Sequence, residues 1–228
     1  MQIITLRLVL FTLLSLAGTL FSVTAAEEPF PRNSDYDYQA PVAGTYELPV
    51  IRTAADGALL DSTGRTTTLN SLTAGKITLV SFIYTRCGDG RACPYATSVL
   101  NLLQGASMND DALTKNLRLV SMSFDPEYDT PKRLAEYASI VRDNDGGCEW
   151  RFVTPRSVAE TAPILAAYGQ AVNRKTEARA GGGPFNHTLR VYLIDRQRRI
   201  RNIYSTGTLD PRLVLADVRT LLLEKAVR

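Results

Sequence analysis

The chain has 228 residues, 45% of them hydrophobic and 21% charged, which is enough for one domain with a sizeable core. Its 26 Lys and Arg against 23 Asp and Glu leave a formal net charge of +3. That near balance argues against nucleic acid or an anionic membrane surface as a partner.

Met1 to Phe21 is mostly apolar, and Arg7 is its only charged side chain. The apolar stretch from Leu8 to Phe21 is short for a membrane span, and the small residues Ala25 and Ala26 follow it. The pattern predicts a signal peptide over residues 1–26, cut near Ala25 or Ala26, and a periplasmic mature chain. The alternative is an uncleaved N-terminal anchor, the one way this chain would touch a membrane. Removing residues 1–26 takes away Arg7 and no acid, so the net charge falls from +3 to +2. Residues 27–48 are rich in Pro, Asp and Tyr without periodicity. They read as an extended arm, disordered in part, ahead of a domain over residues 49–228.

Pro49 to Leu60 and Arg65 to Leu69, separated by Asp61-Ser62-Thr63-Gly64, predict a β-hairpin. Ile77 to Tyr84 is β-branched and aromatic-rich without Gly or Pro, and reads as a strand buried on both faces. Cys87 follows at its carboxyl end. Gly88, Asp89 and Gly90 favour a turn. Pro94 suits the first position of a helix, with Cys93 as N-cap. Both thiols therefore sit where a central strand hands over to a helix, the place where open α/β sheets bind ligands. A helix N-terminus stabilises a thiolate, and Arg86 and Arg91 add positive charge. Such a pair forms a redox-active disulfide or holds a soft metal. The plainer alternatives are a structural disulfide or two unrelated thiols. Cys148 is left over and reads as a partly buried, inert thiol.

Leu117 to Phe124 is a second buried strand, followed by an acidic loop from Asp125 to Thr130. Thr130 caps a helix that begins at Pro131 and carries Leu134, Tyr137, Ala138 and Val141 on one face. Asp143 to Gly147 ends it, and Trp150 to Val153 is a short strand. Ser157 with Glu160 forms a capping box, and Gly169 terminates that helix, with Pro163 placed to divide it. Gln170 to Asn186 reads as a long polar loop containing Gly181-Gly182-Gly183-Pro184. Leu189 to Ile194 and Ile200 to Tyr204 are strands joined by a solvated hairpin turn that holds the Arg196 to Arg201 basic cluster. Val214, Val218, Leu221 and Leu222 mark a final amphipathic helix. The order is that of an α/β, thioredoxin-like domain: a central mixed sheet flanked by helices, with an added N-terminal β-hairpin.

His187 is the only histidine. It lies between the glycine-rich loop and a strand, and a lone histidine is usually a surface or packing residue. In a thioredoxin-like fold, however, that loop returns beside the cysteine turn. Two thiolates and one imidazole suit Cu(I), which accepts three-coordinate geometry. A structural zinc site would want a fourth ligand, such as Asp89 or Cys148. Peroxiredoxin chemistry needs a threonine three residues before its reactive cysteine, and Tyr84 stands there instead.

Three blocks carry a family likeness. Phe82-Ile83-Tyr84-Thr85-Arg86-Cys87 through Cys93-Pro94 resembles the cysteine motif of the Sco/SenC proteins. Ser123-Phe124-Asp125-Pro126 through Thr130-Pro131 is similar to their aspartate–proline signature. His187, with Tyr192-Leu193-Ile194-Asp195, resembles their ligand histidine and the strand after it. Order and spacing agree from about Val50 to Leu222. The resemblance implies copper, as Cu(I) or Cu(II), held by Cys87, Cys93 and His187. Asp89 matches the acidic loop residue, and Asp125 and Asp129 shape the rim. It implies a metallochaperone for a client copper protein, an oxidase subunit, in assembly of the copper site of cytochrome c oxidase by copper delivery or by reduction of client cysteines. The alternative is a periplasmic thiol–disulfide oxidoreductase using Cys87 and Cys93 as its catalytic pair, served by a thiol reductase. One departure stands out. The family places three residues between its cysteines, the first a proline; here five intervene and Gly88 takes the proline's place. The added closure entropy is only about a few tenths of a kcal/mol.

Overall fold

The computed structural model describes residue 30 and residues 36–141, 146–176 and 183–224. The expected signal peptide and its cleavage site lie outside these residues. So do most of the arm before Tyr36, residues 142–145 of the expected helix end, and Gly181 and Gly182.

Strand β1 (Arg52–Thr53) precedes a hairpin of β2 (Ala58–Asp61) and β3 (Thr66–Thr68). Asp61 closes that turn, its carboxylate accepting from the Thr63 and Arg65 backbone amides. Helix α1 (Leu69–Thr73) follows under a capping box of Thr68 and Ser71. The buried strand β4 (Ile77–Ile83) then leads through the cysteine turn into α2 (Cys93–Ser107), the short α3 (Asp111–Asn116) and β5 (Leu117–Ser123). Helix α4 (Pro131–Val141) begins after Thr130, whose hydroxyl accepts from the Arg133 amide at 3.4 Å. Strand β6 (Glu149–Thr154) and α5 (Val158–Tyr168) come next. The α5 helix runs through Pro163 undivided and ends at Gly169 in the left-handed conformation, with φ 65°. Ser157 caps it through the Glu160 amide. The Glu160 carboxylate pairs with Arg156 rather than closing the expected box.

The expected loop from Gln170 to Asn186 instead holds two short strands. These are β7 (Val172–Arg174) and β8 (Phe185–His187), paired antiparallel with Val172 opposite His187. Strands β9 (Val191–Ile194) and β10 (Arg199–Tyr204) and helix α6 (Pro211–Leu223) complete the chain.

Eight strands form one mixed sheet in the order β1-β10-β9-β4-β5-β6-β2-β3, and β7-β8 is a separate two-stranded ribbon. Strands β4, β5 and β6 run parallel, with Ile77 opposite Leu117 and Ile83 opposite Ser123, while β9 is antiparallel to β4. Strand β1 pairs with β10 rather than joining the hairpin. Side chains alternate across β4. Ile77 and Leu79 pack toward α2, α4 and α6, and Val80 and Phe82 pack toward α1 and α5. Each fully buried leucine or isoleucine in these two clusters contributes about 1.5–3 kcal/mol. The expected α/β, thioredoxin-like layout is therefore present, with both faces of its parallel strands covered. Among the described residues, no helix is long and apolar enough to cross a membrane.

Both the arm and the basic cluster are tied into the fold. The described part of the arm is docked on α6: Tyr46 donates to Asp217 at 2.6 Å, the Gly44 amide to Thr220 Oγ1 at 3.0 Å, and Arg212 to the Tyr36 carbonyl at 3.2 Å. The basic cluster is not wholly solvated. Arg201 is only 6% exposed and pairs with Asp195 at 3.0 Å and Glu224 at 2.6 Å, while its Nε donates to the Leu48 carbonyl. Leu48 and Glu224 are distant in sequence from Arg201, which is why the run of arginines reads as surface when taken alone.

Candidate metal centre

Strand β4 delivers the chain to the site. Beyond Ile83, Tyr84 is buried, and the Cys87 amide donates to the Tyr84 carbonyl at 3.2 Å, turning the backbone sharply. A second turn follows. The Asp89 carbonyl accepts from the Ala92 amide, and its carboxylate accepts from the Arg91 amide, both at 3.0 Å. Ala92, not Cys93, is the helix N-cap; it makes no side-chain cap, and Cys93 is the first residue of α2 with Pro94 second. Proline at the second position leaves one of the unsatisfied amides of a first turn without a proton to satisfy, as at the first. Cys93 is thus held by the helix and is 2% exposed, whereas Cys87 sits half-buried at the lip of the turn.

His187 arrives from the ribbon. Its Nε2 lies 3.4 Å from Cys93 Sγ and 3.8 Å from Cys87 Sγ. The three donor atoms all lie within 4.8 Å of one another. Among the described residues, this is the one group of three or more Cys, His, Asp or Glu side chains placed to hold a metal ion. The five-residue spacing does not keep the sulphurs apart, because the added residues fold into the Asp89–Ala92 turn. Asp89 is exposed and spends its carboxylate on that turn, outside the donor group. Cys148 is also outside it. Its thiol is deeply buried behind α2, where its amide donates to Ser107 Oγ at 2.7 Å, and burial raises its pKa.

The two site thiols are electrostatically unlike. Cys87 is lowered to about 4, first by the hydrogen bond from the Cys93 thiol and then by His187, against its partial burial. Cys93 is raised by the same hydrogen bond, by desolvation and by the repulsion of the Cys87 thiolate. One proton is therefore shared unequally, and Cys87 is the anionic partner.

Sequence reasoning missed the aromatic wall that positions the imidazole. The His187 ring packs edge-on to Tyr84 at 5.5 Å and tilted against Phe124 at 5.2 Å. Phe185 packs on the same two rings at 5.3 and 5.6 Å. The signal was present: Phe185 and His187 are two apart, and a strand places such residues on one face. The Nδ1 atom of His187 is buried and has no hydrogen-bond partner. A metal-bound imidazole ordinarily donates that proton to an acceptor, so the aromatic wall substitutes packing for the usual orienting bond.

Asp125 and Asp129 lie on the loop after β5 and fasten the end of β4. Asp129 accepts from the Thr85 amide at 3.0 Å, from the Thr85 hydroxyl and from Ser123 Oγ at 2.6 Å, and burial raises its pKa. Asp125 pairs with Arg86, the residue before Cys87. Neither carboxylate is in the donor group. A cleft of about 470 Å³ opens beside the thiols, walled by Pro94, Thr97 and Tyr137.

The donor set is two sulphurs and one imidazole with no carboxylate. That composition fits a soft cation such as Cu(I) and lacks the fourth ligand a structural zinc site takes.

Known proteins resemble this chain in sequence and fold. A sequence-family model described as SCO1/SenC matches residues 51–223. The "SCO1 protein homolog" of Bacillus subtilis is 28% identical over 145 residues, spanning 62% of this chain and 68% of that protein. Among solved structures, Bradyrhizobium japonicum ScoI with copper bound is 25% identical, with a TM-score of 0.57 over 72% of this chain and 97% of ScoI. A SCO1/SenC family lipoprotein from Bacillus anthracis shares the fold at a TM-score of 0.62 and 21% identity, over 76% of this chain and 96% of that one. The match to the family model covers well over half of the sequence and includes both cysteines and the histidine, and the chain belongs to the SCO1/SenC family.

Proposed function

We propose that this protein is exported and carries copper on Cys87, Cys93 and His187 for assembly of a client copper site, that of cytochrome c oxidase. The observation that carries the reading is the convergence of two sulphurs and one imidazole nitrogen within 4.8 Å. Family membership supports it, as does the copper-bound state of ScoI. The oxidase as client is supported by a protein of similar structure, BsSco, described as a member of the Sco family of cytochrome c oxidase assembly proteins. The charge-free segment Leu8 to Phe21 and the small residues after it support export through a signal peptide over residues 1–26.

The chain's own groups divide the work. Copper is cargo here, and Cu(I) favours thiolate and imidazole donors. Cys87 is already anionic and partly open to solvent, so it is the first donor an arriving or departing ion meets. Cys93 must give up its proton to serve as the second donor, which couples loading to proton release. His187 supplies its Nε2 lone pair. The aromatic rings behind it exclude water from the inner side of the site.

A second reading draws on the contrast between the two thiols. The Cys87 thiolate attacks one sulphur of a client disulfide, forming a mixed disulfide and releasing one client thiolate. Cys93 then loses its proton and attacks Cys87 Sγ. The Cys87–Cys93 disulfide forms, the second client thiolate leaves, and two electrons have passed to the client. A thiol reductase restores the pair.

The deciding experiment is competition for Cu(I) by the reduced chain of residues 27–228 against a chelator of known affinity. Wild type is compared with His187→Ala and with a Cys87→Ala, Cys93→Ala double variant. One-to-one binding that both variants lose supports the copper site. Binding left unchanged by His187→Ala removes the three-donor reading. No binding alongside turnover of a protein disulfide favours the second.

A further inference from the structure

Resting on the copper reading, we infer that Gly183 is a positioning residue, setting how closely His187 approaches the two cysteines. The ribbon that bears His187 shares no ladder with the eight-stranded sheet, so sheet hydrogen bonds do not fix its distance from the thiols. Its placement comes from contacts on β8 and just before it. Gly183 lies two residues before β8 and has φ +66°, a conformation that costs glycine little. It is also packed tightly against the end of β4. A β-carbon there would overlap the Tyr84 hydroxyl and lie 2.8 Å from Tyr84 Cε2 and 2.7 Å from the Arg86 carbonyl oxygen. That oxygen belongs to the backbone next to Cys87 and cannot swing aside as a side chain would. Gly183 therefore touches the cysteine turn at one end of a five-residue lever whose other end is His187.

The lever is stiffened along its length. The Pro184 carbonyl accepts from the Lys175 amide at 2.8 Å. Phe185 packs on Tyr84 and Phe124 from one side, and the Arg174 guanidinium lies 5.0 Å from its ring centre on the ribbon strand opposite. The Thr188 carbonyl accepts from Gln170 Nε2 just past the histidine. With both flanks held, a side chain at 183 pushes the whole strand away from Tyr84, and the imidazole moves with it.

The test uses the reduced chain of residues 27–228 with Gly183→Ala, Phe185→Leu, His187→Ala and a control, Gly64→Ala. Gly64 has φ +83° and open space around it, so alanine there brings the same backbone strain without a collision. The first readout needs no metal. As the only histidine, His187 gives self-assigning ring-proton NMR signals, shifted by the Tyr84 and Phe124 rings. In Gly183→Ala those signals move toward unstructured-histidine positions; in Gly64→Ala they stay. Phe185→Leu keeps a residue that folds readily in a strand and moves them the same way. The second readout is copper: Cu(I) affinity falls about tenfold or more in Gly183→Ala, as when a ligand's support is removed. The nitrogen hyperfine pattern of the Cu(II) form weakens toward that of His187→Ala. Ring signals unchanged in Gly183→Ala and Phe185→Leu overturn the proposal, whether or not copper binds. If wild type fails to bind copper, the copper reading falls while the ring signals still decide the role of Gly183.

Discussion

Arg86 and Asp125 are joined by an ion pair of 2.6 Å that ties the residue before Cys87 to the loop after β5. The Arg86 guanidinium also lies 3.8 Å from the centre of the Tyr128 ring, and the Arg133 guanidinium lies 3.7 Å from it. The neighbouring Asp129 serves Thr85 twice and Ser123 once. The two aspartates differ in what their loss exposes. Without Asp125, Arg86 can still reach water. Without Asp129, buried donors are left without partners. Asp125→Ala is expected to lower the unfolding free energy by about 1 kcal/mol, and Asp129→Ala by about 3 kcal/mol, in urea titrations. Equal losses would show that the donors left unpaired by loss of Asp129 carry no added weight.

The unlike thiols predict ordered alkylation of the reduced, metal-free protein. Cys87 is lowered to about 4, so its thiolate is present above that pH and lost only below it. Cys93 and Cys148 are raised. Iodoacetamide at pH 6, followed by peptide mass mapping, should label Cys87 well before the other two, with a rate nearly flat from pH 8 to 5. A Cys87 rate that climbs about tenfold per pH unit through that range would mean an ordinary thiol.

Asp210 and Arg212 form a pair buried at the start of α6, with a shortest contact of 2.7 Å. The Asp210 carboxyl is lowered despite a desolvation penalty that is the largest single influence on it, because hydrogen bonds from Arg212, from the Arg212 backbone and from Tyr38 outweigh that penalty. A lowered carboxyl gives stability that is fully present above the ordinary aspartate range and lost as pH falls through its folded value. Wild type should therefore lose stability on acidification from pH 5 to 3 more steeply than Asp210→Asn. Urea midpoints measured across that range check this, and parallel curves would remove Asp210 from the account.

The docked arm makes Tyr46→Phe a mild but measurable change. The hydroxyl donates to Asp217, which also accepts from Asn202 and Tyr204 and so stays satisfied when Tyr46 is altered. A loss of about 1 kcal/mol is expected, with Cu(I) affinity unchanged, since Tyr46 packs on the far side of the sheet from the ribbon. Truncation at Leu48 should cost more, because Arg201 also loses its carbonyl partner. A truncated chain as stable as the full one would show that the arm rests on α6 without holding it.

Much of this arrangement is readable from residue order. The apolar run from Ile77, the Gly-Asp-Gly turn and Pro94 locate both cysteines at the strand–helix junction, because periodicity and turn chemistry are local properties. The short helices α1 and α3 escaped, since five or six residues make too few turns to show a 3.6-residue period. Strands β7 and β8 escaped for a different reason. Each has three residues, and they are separated in sequence by a polar, glycine-rich stretch, so neither alternates long enough to be seen. The imidazole's environment was legible in part. Phe185 and His187 share a face by strand parity, but only the fold brings Tyr84 and Phe124 to that face. The tight approach of Gly183 to the Arg86 carbonyl leaves no trace in sequence beyond one glycine among three in a row.

Because His187 rides on a ribbon outside the main sheet, the placement of the imidazole is set apart from the pairing of the sheet strands. Substitutions at Phe185 and Gly183 act first on the placement of the imidazole and carry a stability cost of their own, because Phe185 packs on Tyr84 and Phe124 and Gly183 abuts the Arg86 carbonyl. The distance of the imidazole from the two sulphurs is thus set by a few positions on one short strand and the turn before it.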